Sequence, residues 1–303
     1  MQKIFSNKLT SILIAAIVCA LWGSLFPMVK VGYEAFSIDS SNIPSIMLFA
    51  GIRFVICGIV MVAMVSCRDK KLELPGKDKF KVIAAIGAVS IIVHYALTYF
   101  ALSVTEGAKT AILKQIGFLL LPCFAFMFRK EDKFSVTKVL GAVIGFVAII
   151  VINLDGLRFN INIGDIAIIG ASIASVASTI MSKNAYDKYD SSYVVAYSQL
   201  FGGIVLMVAG FISGGSMNMA GINSVLVLAY MCAASIGAYL LWGLLTKYND
   251  MSKLSIIKFL EPVFGAVFSA IMLGENILKP EYIIAIVMIS MAIIISNLNK
   301  NSI

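Results

Sequence analysis

Charge is scarce in this 303-residue chain: only 13% of residues are charged, while 60% are apolar. A soluble domain carries about 25% charged residues, so the balance points to a membrane protein. Histidine is nearly absent, with His94 alone, and a zinc site needs clustered Cys and His. The cysteines, Cys19, Cys57, Cys67, Cys123 and Cys232, form no CxxC pair. They read as small buried hydrophobes rather than disulfide partners. No GxxxxGK[ST] loop occurs, and Gly214-Gly215 lies in an expected outside loop, so nucleotide-driven chemistry is not expected. No cofactor is expected either. The expected helix centres lack aspartate, and His94 has no catalytic companion, which argues against an intramembrane hydrolase. No ring of equivalent charge or filter-like loop suggests a channel. The net charge of +8 sits in short loops between apolar runs. It marks topology rather than a nucleic-acid surface.

Apolar runs long enough to span a bilayer are what the chain has most of. They predict an all-α membrane protein of ten transmembrane helices: Leu9–Lys30, Ile43–Ser66, Val82–Leu102, Thr110–Phe128, Phe134–Leu154, Gly164–Met181, Tyr193–Ile212, Val225–Leu245, Leu254–Leu273 and Ile277–Leu298. The first run follows Lys3 and Lys8 but is too long for a signal peptide, and no A-x-A site follows it. Connections are short, so no soluble domain is expected. Lysine and arginine concentrate at 68–81, 129–138, 183–188 and 247–253, with few in the alternate loops (Lys30, Lys109, Arg158, Lys279). The bias predicts a multi-pass protein of the cytoplasmic membrane with both termini cytoplasmic.

The chain also repeats itself. Gly107–Glu131 falls on Met251–Glu275 when slid by about 144 residues, a self-similarity found by searching for internal repeats. Lys109 then meets Lys253, Lys114 meets Lys258, Phe124 meets Phe268 and Glu131 meets Glu275. Tyr95 meets Tyr239, and Asn153-Leu154 meets Asn297-Leu298. Two units are expected, 1–155 and 162–300. Five spans in each make them inverted with respect to one another. Inverted repeats around midplane charge are the layout of secondary transporters.

Lys114 and Lys258 lead the candidate site. A charge at the bilayer centre costs at least about 2.5–3.5 kcal/mol, so each needs a partner or a wet cavity. They either bind an anionic group of a small-molecule substrate or pair structurally, Lys258 with Glu261 at i, i+3. Glu261, just before Pro262, is either a proton-coupling group or that ion-pair partner. Trp22, His94, Tyr95, Tyr239 and Trp242 are candidate cavity linings; His94 also fits a packing role. Arg53 is read as a structural ion-pair or snorkelling residue, with a cavity or coupling role as the alternative. Gly170, Ser172, Ser175 and Ser178 are read as packing residues without a substrate role.

Several short motifs carry a resemblance: Trp22-Gly23-Ser24, Arg53, Arg129-Lys130-Glu131, Gly164-Asp165, and Leu260-Glu261-Pro262-Val263 running to Leu273-Gly274-Glu275. On these, in this order, the chain resembles the EamA-type drug/metabolite transporters over nearly its whole length. That resemblance implies ten helices in two repeats and transport of amino acids, drugs or other metabolites. Related plastid sugar-phosphate translocators use basic residues on the lysine-bearing helices, which supports anion binding. Gln115-Ile116-Gly117 departs from the pattern, so only the second repeat carries the carboxylate. The expectation is a secondary transporter, in the exporting direction, for a small polar metabolite with an anionic group. The alternative is a proton-coupled exporter of cationic compounds; a zwitterionic amino acid would satisfy lysine and Glu261 together. Whether the protein is monomeric or dimeric is left open.

Overall fold

A hydrocarbon solvent leaves backbone N–H and C=O groups no partner but each other, which restricts a spanning chain to helices or closed barrels. The computed structural model takes the helical solution. It describes residues 2–104, 107–129, 132–152, 161–219, 221–273 and 280–296, and no strand occurs among them. In chain order the helices are α1 (Gln2–Ser6), α2 (Lys8–Ala35), α3 (Ile43–Asp69), α4 (Lys77–Gly87), a π-helical turn (Ala88–Val93), α5 (His94–Val104), α6 (Gly107–Lys114) and α7 (Ile116–Phe128). Then follow α8 (Val136–Ile152), α9 (Ile163–Tyr186), α10 (Ser191–Ile212), α11 (Ile222–Tyr248), α12 (Met251–Ile257), α13 (Leu260–Leu273) and α14 (Pro280–Ser296). Among the described residues, seven helical stretches are long and apolar enough to cross a membrane, and Ile112–Phe128, Val136–Val151 and Ile283–Ser296 are shorter apolar helices. Glu131, Glu275, Asn153-Leu154 and Asn297-Leu298 of the sequence repeat lie outside the described residues.

Short polar side chains start the helices where the sequence turns polar. Asn7 accepts from Thr10 N and Asn42 from Ser45 N. Asp190 accepts from Tyr193 N. Asn162 and Asp165 form a reciprocal capping box at the start of α9. Each satisfies an N–H that a helix start leaves orphaned. Between α3 and α4, Lys79 donates to Glu73 and holds that carboxyl below its ordinary range.

The outward faces are apolar, as lipid requires. Leu9, Leu13 and Ile17 on α2, and Ile283, Val287 and Ile294 on α14, are exposed. Inward, α3 packs on α10, α8 on α14, α2 on α11 and α13, and α9 on α5, α6 and α7. The α3–α10 crossing is the tightest. A Cβ at Gly51 would lie 2.3 Å from Met207 N, at Gly58 2.6 Å from Leu200 Cα, at Gly203 2.8 Å from Phe54 Cβ, and at Gly210 2.4 Å from Leu48 N. Two backbones approach this closely only where glycine faces them.

Two helices are broken beside their lysines. Pro262 has no N–H to bond the carbonyl one turn back, which is that of Lys258. That carbonyl instead accepts from Glu261 N at 2.9 Å, and the chain turns between α12 and α13. The counterpart break separates α6 from α7 at Gln115, without a proline at the matching position, which is Phe118. At both breaks the residue after the lysine bonds three residues back, Gln115 N to Ile112 O and Phe259 N to Ile256 O.

Candidate functional site

The two breaks face one cavity of about 200 Å³. Its wall includes Lys114, Lys258, Glu261, His94, Tyr95, Tyr239, Trp22 and Trp242. Distant sequence positions thus converge because α2, α5, α6, α11, the α12–α13 turn and the start of α13 all contribute to one wall. From there the cavity runs toward the ends of α9 and α11 at Tyr186 and Thr246. Those are lysine-rich ends, beside Lys183, Lys188 and Lys247.

The lysines are not paired with carboxylates. Among the described residues, neither Lys114, Lys258 nor Glu261 has an ion-pair partner within 4.0 Å. The structural alternative, a Lys258–Glu261 pair at i, i+3, is therefore not formed in this structure. Lys258 Nζ sits instead over three rings, 4.4 Å from the centroid of Trp22, 4.9 Å from Trp242 and 5.1 Å from Phe118. These are cation–π distances. Trp22 also meets Tyr239 edge-on at 5.4 Å.

His94 Nδ1 lies 2.9 Å from the carbonyl of Ala171. A carbonyl only accepts, so Nδ1 carries the proton and donates. The Thr98 hydroxyl donates to the His94 carbonyl at 2.7 Å. The ring follows directly on the π-helical turn, a local widening that often accompanies functional positions. Arg53 does not line the cavity. It is 7% exposed, lies 4.8 Å over the Phe54 ring, and has no ion pair among the described residues. Burial excludes the snorkelling expected of it.

Polar residues that sequence reasoning passed over complete the wall. Ser175, Ser178, Thr179 and Ser182 line it from α9, Ser198 and Gln199 from α10, and Thr246 from α11. Ser175 and Ser178, expected only to ease packing, thus stand on the cavity surface. Their spacing along one face of α9 was the available signal, but it fits close packing equally well. Gln199 Oε1 and Thr246 Oγ1 are buried without a hydrogen-bond partner.

Side chains from elsewhere reach the carbonyls at the breaks. The Ser172 hydroxyl, with one proton to donate, lies 3.0 Å from Lys114 O, 3.2 Å from Leu113 O and 3.0 Å from Ile168 O of its own helix. The Cys19 thiol lies 3.6 Å from Ile257 O.

Beyond the cavity, the lysine-rich end is cross-tied. Lys138 reaches Asp132 at 2.8 Å and Asp250 at 3.5 Å, with Lys138 and Asp132 both nearly fully buried. Asp132 also accepts from Ser252 N at 2.9 Å and its hydroxyl at 2.7 Å. Lys183 donates to the carbonyls of Thr246, Lys247 and Asn249 at 2.6–3.0 Å.

The sequence pattern of the EamA-like transporter family matches residues 9–154 and again 162–297. The chain belongs to the EamA-like transporter family. Its EamA relatives include the uncharacterized transporter YvbV of Bacillus subtilis (strain 168), 26% identical over 88% of this chain and 85% of its own length. The probable amino-acid metabolite efflux pump of Escherichia coli (strain K12) is 23% identical over 91% of each. The uncharacterized inner membrane transporter YedA of the same strain is 24% identical over 92% and 88%. A solved crystal structure superposes with a TM-score of 0.79 over 95% of this chain and 98% of its own, at 17% identity, a likeness of fold. As an EamA protein this chain is a multi-pass membrane transporter. The starts of its two EamA segments, 9 and 162, are as far apart as Cys19 and Ser172, the two side chains that cap the broken helices.

Proposed function

We propose that the protein is a secondary transporter that exports a small polar metabolite bearing an anionic group. The carrying observation is Lys114 and Lys258 on one cavity wall with no carboxylate of the described residues within 4.0 Å of either. Two such charges at mid-membrane are costly unless water or a ligand meets them. No ring of the described residues lies over the Lys114 ammonium group, so we assign it the substrate's anion. His94, Tyr95, Tyr239, Trp22 and Trp242 are the remaining contacts, and Glu261 is the coupling group. Carried over from a relative, the name of an amino-acid metabolite efflux pump favours export.

The architecture proposed for this work is ten spans in two inverted repeats, 1–155 and 162–300. The exchanged packing supports it: α2 lies on α11 and α13, as α9 lies on α5 and on α6 with α7. Inversion brings both lysines to one depth and permits rocking of one half against the other. With the lysine-rich loops cytoplasmic, the cavity in this structure opens toward the cytoplasm, and both termini lie there.

A thermal-shift screen of the purified protein against amino acids, organic acids, phosphorylated metabolites and cationic dyes tests the reading, since a selective ligand raises the melting temperature. A shift with anionic or zwitterionic compounds that is lost in Lys114→Ala is expected. A shift with cationic dyes alone refutes the anion site and makes Glu261 the binding group.

A further inference from the structure

Repeat symmetry would give Lys114 and Lys258 the same surroundings, and they do not have them. Lys258 lies under Trp22, Phe118 and Trp242, rings from α2, α7 and α11. At the repeat spacings, the matching positions around Lys114 are Ser175, Pro262 and Thr98. None is aromatic. The rings are therefore a feature of one side of the cavity, built around one ammonium group.

Three aromatic faces around a cation are what a protein uses to hold a ligand's ammonium group. Glu261 stands one turn beyond Lys258 on the same wall, with no ion pair among the described residues. We infer that Trp22, Phe118 and Trp242 form an ammonium-binding cage whose occupant in this structure is the protein's own Lys258. A ligand's primary or methylated ammonium group takes the place when Lys258 swings toward Glu261.

The local structure permits the swing. Lys258 lies in the turn between α12 and α13 rather than inside a helix. Its four-carbon stem is long enough to exchange rings for a carboxylate three residues on. With the cage holding Lys258, Glu261 is unpaired and open to a cation. With the cage holding a ligand, Lys258 neutralises Glu261. Lys258 is then a tethered competitor, which the substrate must displace.

The inference rests on reading this cavity as the transport site, but its test needs no transport. The chain's two tryptophans are both in the cage, so intrinsic tryptophan emission reports the cage alone. Purified full-length protein is titrated with tetramethylammonium chloride against sodium chloride of equal ionic strength. Lys258→Gln and Lys258→Met are expected to give a saturable emission change. Its midpoint should be at least about tenfold lower than in the unaltered protein, because a tethered group competes at an effective concentration on the order of millimolar. Adding Glu261→Gln to either variant should raise the midpoint. Equal midpoints with and without Lys258 overturn the proposal, as does a folded Lys258→Gln protein that gives no saturable response. If neither variant folds, Glu261→Gln alone decides, because an unchanged midpoint there overturns the swing. An absent ammonium response together with transport lost in Lys258→Ala would sink the cage and leave the transport site standing.

Discussion

Gly51→Ala is a sharp probe of the α3–α10 crossing. The new Cβ would lie 2.3 Å from Met207 N and 2.5 Å from Met207 Cα. Both are main-chain atoms, so no side-chain rotation relieves the overlap and the helices must separate by about 1 Å to restore ordinary contact. Lipid competes with helix for apolar surface, so close van der Waals packing is what holds such a pair together. Overpacking costs about 1–3 kcal/mol. Against it, alanine is favoured over glycine inside a helix by about 0.5–1 kcal/mol. The steric cost wins, leaving a net loss on the order of 1–2 kcal/mol, or a fall in melting temperature of roughly 2–8 °C for a chain this size. The assay is thermal unfolding in one detergent, followed by tryptophan emission. Gly76→Ala is the control, with open space around its Cβ and an extended backbone that alanine adopts freely. A Gly51→Ala protein that melts with the control and the unaltered chain would refute the reasoning.

Lys258→Ala should abolish transport in proteoliposomes while leaving the melting temperature near normal; transport at the unaltered rate would remove Lys258 from the mechanism. Glu261→Gln should flatten the pH dependence of transport, if coupling is to protons, and an unchanged pH profile would return Glu261 to a structural role. Lys138→Met leaves Asp132 buried without its cation, and removing one partner of a buried pair costs about 3–5 kcal/mol; an unaltered melting temperature would count against the cross-tie. Lys79 lowers the folded-state pKa of Glu73, so this pair's small contribution is present above the ordinary glutamate range, near pH 4.3, and fades as pH falls below it. Glu73→Gln should therefore flatten the acid-side slope of stability, and a slope left as steep would show that other carboxyls set it.

The lysine pair was legible because no insertion or deletion separates the runs around Lys114 and Lys258, so a single offset aligned them. The first helices escaped that offset. Gly51 and Gly58 correspond to Gly203 and Gly210 at a wider spacing, as do Cys19 and Ser172, because the connections differ in length. The α12–α13 break was readable from Pro262. The break at Gln115 was not, since no proline marks it and a hydroxyl from α9 supports it. The aromatic cage was hidden for a different reason: Trp22, Phe118 and Trp242 come from three helices whose mutual rotation no local pattern records. Nor did periodicity reveal that Arg53 is buried, because one arginine in an apolar run fits either side of a helix.

The caps on the two broken helices differ by one atom. A serine hydroxyl lies within reach of the carbonyls of Leu113 and Lys114, and a cysteine thiol within reach of that of Ile257, beside Lys258. A thiol is the weaker donor. Each cap joins a broken helix to a span from the opposite half of the sequence, so each acts as a latch between halves. The sulfur contact is thus the weaker of the two links between the EamA segments, so the two segments are joined unequally at their broken helices, and Cys19→Ser would even the two links.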